Sequence, residues 1–230
     1  MRLAKKIFFS LVIIFILILV AATGVLIYSQ GESTIIGENE LGSVTRVDYC
    51  HSDNPDVRIA VVSGMHHREK LHQWVLPIVS NIFALTHNVE IVSYQVDVTK
   101  DADEFYSGRA NGESLVHDYV VSDVSNSNLS IVIIGHDHEP GYGEGYYIAT
   151  PSMDNASVDL ASQVTSEIGF NHYTRNKSQP SKSTSITNVD NPIVDTGTMV
   201  FVYEIPEDDN RFSALIESYH LLEATYNNLT

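Results

Sequence analysis

Cysteine is nearly absent from this chain: Cys50 is the single one in 230 residues. No disulfide can close within one copy, and cysteine-rich metal sites are excluded with it. Positive charge is scarce as well. Lysine and arginine number 13 against 29 aspartates and glutamates, and Arg2, Lys5 and Lys6 all fall in the first six positions, so the rest of the chain carries 10 cations against 29 anions. That balance argues against nucleic acid as a partner, because phosphate binding needs the opposite sign. It fits a solvated, soluble surface. Ser63 lacks the Gly-x-Ser-x-Gly elbow of serine hydrolases. Cys50 has only His51 beside it and reads as an incidental or lipid-modified residue.

One long apolar run is present, from Ile7 to Tyr28. About 20 apolar residues span a bilayer, whereas a secretory signal has a core of roughly 7 to 15. Residues 1–30 are therefore expected to form a cytoplasmic tip and an uncleaved signal anchor. Basic residues precede the run and none follows closely, which predicts the amino terminus inside and the remainder outside, a single-pass arrangement. Sequons at Asn128, Asn155, Asn176 and Asn228 are compatible with an external face. Residues 31–56, rich in Gly, Ser, Glu and Asn, read as an extracytoplasmic tether. That leaves 57–230 as one domain large enough for its own core.

Within this domain strands alternate with helices. Arg58 to Ser63, Val89 to Val98, Leu129 to Ile134 and Thr198 to Ile205 have the branched apolar character of strands, and a smaller strand is expected near Tyr146 to Thr150. Helical spacing runs through Leu71, Trp74, Val75, Ile78 and Ile82, again through Leu160, Ala161, Val164 and Ile168 up to Gly169, and finally through Phe212, Leu215, Ile216, Tyr219 and Leu222. A short helix is expected over Leu115 to Val120. The two glycines around Arg109 predict an irregular loop, and 171–197 is polar enough to be a long loop. The pattern predicts an α/β fold: a mixed, largely parallel sheet with helices on both faces, preceded by one transmembrane helix.

Sites in such sheets gather at the carboxyl ends of strands. Here three strand ends carry polar residues: His66 and Glu69 after the first, His136 and His138 after the third, and Glu204 near the end of the last. A hydrolytic zinc needs three N or O ligands and an open position. His66, Glu69 and one of the two later histidines would supply them. Period-two alternation puts Glu204 on the face of Val200 and Val202, where a carboxylate is costly to bury without a partner. It is placed to take a proton from water activated by a metal. His67 and His72 form no His-Glu-x-x-His helix, since Glu69 is not adjacent to His67.

Gly64-Met65-His66-His67-Arg68-Glu69 resembles the Gly-x-His-x-Arg-Glu signature of the zinc carboxypeptidase family, whose superfamily includes succinylglutamate desuccinylase-like relatives acting on acylated amino acids. The resemblance extends through Ile134-Gly135-His136-Asp137-His138 and Phe201-Val202-Tyr203-Glu204, in the family's order. It implies zinc held by His66, Glu69 and His136, with His138 in reserve, and catalysis by Glu204. Arg109, the sole candidate in the right interval, and Arg68, the signature arginine, are implied on the substrate side. The resemblance further implies hydrolysis of an amide bond in a peptide or acylated amino acid. The alternative expectation is a non-catalytic external binding domain of the same fold.

Overall fold

The structure, a computed structural model, describes residues 2–28, 31–175 and 183–230. The chain divides into two units, residues 1–30 and 31–230. In the first, Arg2–Tyr28 forms helix α1. Large apolar side chains from Phe8 to Val20 are exposed. Among the described residues no helix is long and apolar enough to cross a membrane. The Asn176 sequon and the middle of the 171–197 stretch lie outside the described residues.

The second unit is built on eight strands: β1 (Glu32–Asn39), β2 (Gly42–Cys50), β3 (Val57–Ser63), β4 (Val89–Val98), β5 (Ile131–His138), β6 (Tyr147–Ala149), β7 (Asn171–Tyr173) and β8 (Met199–Pro206). Their order in the sheet is β1-β2-β4-β3-β5-β8-β6-β7. The centre, β4-β3-β5-β8, is parallel, while β1, β2 and β6 run antiparallel to their inner neighbours. The mixed α/β sheet expected from the sequence is therefore present.

Helices cover both faces. On one lie α2 (Leu71–Thr86), α5 (Asn155–Ile168) and α7 (Arg211–Leu229), packing Val75, Leu76, Phe83, Leu160, Val164, Leu221 and Leu222 onto Ile59, Ile91, Ile133 and Phe201. On the other lies α3 (Phe105–Leu115), which continues through a π-helical stretch, Val116–Val121, into α4 (Ser122–Ser125). A second π-helical stretch, Ile186–Asp190, leads into α6 (Asn191–Asp195) on the same face. Strands β3 and β5 are buried on both sides, so Ile59–Val62 and Ile131–Ile134 are continuous apolar runs with no alternation. Each large side chain buried here contributes roughly 1.5–3 kcal/mol. Helix α5 starts at Asp154, whose side chain accepts from the Ser157 N–H, and ends at Gly169 with φ +76°.

Three expectations are corrected. The described part of 171–197 holds β7, the second π-helical stretch and α6 instead of one long loop. Residues 31–56 are largely not a tether: β1 and β2 form an antiparallel hairpin that extends the sheet beyond β4. Arg46 of β2 ties it down, donating at 2.8 Å to Asp123 of α4 and at 2.7 Å to Asp48. Arg109 lies in the helix α3 instead of an irregular loop. Its glycines serve close approach: a Cβ on Gly112 would stand 1.7 Å from the Met65 carbonyl oxygen, so α3 can press against the turn that follows β3 only because residue 112 has no side chain.

Candidate metal centre

Strand β3 ends at Ser63, and Gly64 turns the chain with φ +85°. A Cβ there would meet the Val96 carbonyl oxygen at 2.2 Å, so both the backbone and the space require glycine. The chain then makes a tight turn in which the Glu69 N–H donates to the His66 carbonyl at 3.1 Å. Gln73, one turn into α2, clamps it by donating its side-chain amide to the carbonyls of His66, His67 and Glu69. His66 is 2 % exposed.

Strand β5 runs beside β3 and delivers His136 to the same point. The Glu69 carboxylate spans the two rings: Oε1 lies 2.9 Å from His66 Nδ1 and Oε2 lies 2.8 Å from His136 Nδ1. The ring centroids are 4.3 Å apart. Glu69 also accepts from the Asp137 N–H at 3.2 Å and from Arg109 at 3.2 Å. Burial works to raise the Glu69 pKa, but the charge and hydrogen bonding of His136 and His66 outweigh it and hold the carboxyl well below the usual range. One donor atom from each of His66, Glu69 and His136 falls within 4.8 Å of the others. Two imidazoles and a carboxylate, each able to offer a lone pair to one point, fit zinc and leave a position open.

Glu204 pairs in register with His136 on one side and with Tyr147 of β6 on the other. Burial pushes its carboxyl up, with His136 opposing and Glu69 reinforcing the shift. Tyr147, buried beside it, is likewise pushed up by burial and by Glu204. A carboxylate with raised affinity for a proton next to a metal point suits a general base.

Arg109 joins the group through Glu69, whereas Arg68 does not. Arg68 is exposed, with its guanidinium 5.9 Å from the centre of the Phe105 ring. It lines a cleft of about 320 Å³ with Lys70, Glu207, Asp209 and Arg211, which Glu69 borders. His138 is directed elsewhere: its Nε2 is 2.9 Å from the Gly145 carbonyl and its ring packs 5.1 Å from Tyr147. His67 is also outside the group.

Three residues here were not singled out in the sequence as part of the site. Asp137 accepts from the N–H groups of Leu71 and His72 at 2.6 and 2.8 Å, satisfying the start of α2 from a neighbouring strand. His72, fully buried, places Nδ1 3.1 Å from the same carboxylate and accepts from the Gly64 N–H at 3.1 Å through Nε2. The third is Glu113, 3 % exposed on α3. Glu113 stands four residues after Arg109 on one face of α3, a spacing that has meaning only once this stretch is known to be a helix.

Compared with family models and with curated protein sequences, the chain matches none. Solved structures do match. Product-bound cell shape determinant protein Csd4 from Helicobacter pylori aligns with a TM-score of 0.54 at 12% identity, over 81% of this chain and 55% of that one. A metallo-carboxypeptidase from Burkholderia cenocepacia aligns at 0.55 and 11% identity, covering 90% and 68%. Another from Pseudomonas aeruginosa aligns at 0.57 and 8%, covering 91% and 69%. The fold is zinc-carboxypeptidase-like. At these identities the likeness extends to the fold, and the chain spans about half the length of Csd4. The metallo-carboxypeptidase-like sheet places the candidate ligands at the ends of β3 and β5 and Glu204 near the end of β8.

Proposed function

We propose that the protein is a zinc-dependent hydrolase that cleaves an amide bond of a peptide or an acylated amino acid. The observation that carries this reading is the meeting of His66, Glu69 and His136 within 4.8 Å, with Glu204 in register beside His136. Bound zinc would supply Lewis acidity, polarising the amide carbonyl and acidifying water. Glu204 would accept the proton of the attacking water and deliver it to the departing amine. Arg109, 36 % exposed and resting on Glu69, would stabilise charge on the substrate side. Arg68, at the cleft, would meet the part of the substrate beyond the scissile bond. Csd4 structures with product and with tripeptide bound are among the matches, which favours a peptide over other amides.

The reading also places the protein in a membrane as a single-pass chain with its catalytic domain outside. The apolar run Ile7 to Tyr28, preceded by Arg2, Lys5 and Lys6, supports that placement. Purified full chain should contain one zinc per molecule and release amine from a panel of peptides and acylated amino acids. Stoichiometric zinc without turnover of any amide would favour the binding-domain alternative, and a folded protein that takes up no zinc would remove both the metal and the chemistry.

A further inference from the structure

Helix α3 brings two charged side chains, one turn apart, to the candidate centre. Arg109 reaches Glu69. Glu113 reaches the opposite side of His66, with Oε1 3.9 Å from Nε2 and both side chains 3% exposed. The two nitrogens of His66 thus face different carboxylates, since Nδ1 lies 2.9 Å from Glu69. Nε2 is buried and makes no hydrogen bond among the described residues.

A ring nitrogen that ligates a metal must be unprotonated, so the single proton of the neutral imidazole sits on the other nitrogen. With Nδ1 turned to the metal point, that proton lies on Nε2, in a place closed to water. A buried N–H without an acceptor costs roughly 1–3 kcal/mol. Glu113 is the carboxylate beside it.

We infer that Glu113 positions His66 for metal binding by accepting its Nε2–H, which fixes the ring's tautomer and aims Nδ1 at the metal. This rests on the metal reading above. The present 3.9 Å is an ion-pair approach, and a movement of about 1 Å converts it into an N–H···O bond. A further observation supports the role. Gly112, adjacent to Glu113, allows α3 to sit directly on the Met65 backbone next to His66.

The experiment measures zinc affinity of the full chain by competition with a chromophoric chelator, for the parent, Glu113→Ala and Glu113→Gln. The expected result is a ten- to hundredfold weaker affinity for Glu113→Ala, with part of it restored in Glu113→Gln, whose carbonyl oxygen still accepts. Circular dichroism of the zinc-free proteins checks that the fold is kept. Nitrogen-15 NMR of the zinc-loaded parent supplies an independent readout, a protonated and slowly exchanging His66 Nε2, which holds whether or not the alanine variant folds. Parent affinity retained within twofold in folded Glu113→Ala, or an Nε2 without a proton in the zinc-loaded parent, overturns the inference and leaves the metal site standing. A parent chain that binds no zinc overturns the metal reading first.

Discussion

His136 Nδ1 lies 2.8 Å from Glu69 Oε2, although 67 residues separate the two in sequence. The contact makes a specific choice between two histidines on the same strand. His138, two residues on, bonds to a loop carbonyl instead. His136→Ala should abolish stoichiometric zinc, and His138→Ala should retain it. Metal content measured by plasma mass spectrometry decides between them, and the reverse pattern would reassign the third ligand.

Glu204 is expected to act in chemistry and not in holding the metal. Glu204→Gln should keep zinc at the parent level and lower kcat on any amide substrate by about 10²–10⁴-fold, with KM changed little. A variant that loses zinc and activity together would make Glu204 part of the metal site.

Asp137 is the hub of the α2 start, holding two backbone N–H groups and His72 from a side chain 2% exposed. Asp137→Ala should destabilise the zinc-free domain by about 3 kcal/mol, because three buried donors lose their acceptor. Asp137→Asn keeps one oxygen and should recover part of that loss. Chemical denaturation followed by circular dichroism measures both.

Asp190 gives a pH dependence of defined sign. Its carboxyl is pushed up to about 7 by burial, against about 3.9 in an unfolded chain, so the native state holds the proton more tightly. The stabilisation from this group is complete below about pH 4, is lost as the pH rises toward 7, and changes no further above it. Asp190→Asn should therefore gain stability over the parent at pH 8, by roughly 4 kcal/mol at most, and gain little at pH 4. Denaturation midpoints at the two pH values test the slope.

The central strands were legible because β3, β4 and β5 carry runs of branched apolar residues, the pattern that burial on two faces demands, and β8 alternates around Val200, Phe201, Tyr203 and Ile205. His66, Glu69, His136 and Glu204 were legible because polar residues at the ends of such runs stand out. The hairpin was not. Much of β1 is exposed, so its polar composition is that of a linker, and pairing with β4 is a long-range property no local window contains. Helix α3 was hidden by Gly108 and Gly112, which as local signals mean a loop and in the fold mean contact with other backbone. Glu113 acts from α3 and Asp137 from β5, and neither carries a spacing signature toward the histidine it touches.

The adjacency of β3 and β5 has a temporal consequence. Ile59 pairs with Ile131, so a ribosome must add 72 residues beyond Ile59 before that partner on β5 exists. Until then His66 and Glu69 are two side chains on an unfinished edge, unable to grip an ion. A metal held by all three residues would thus be acquired only once β5 has joined β3.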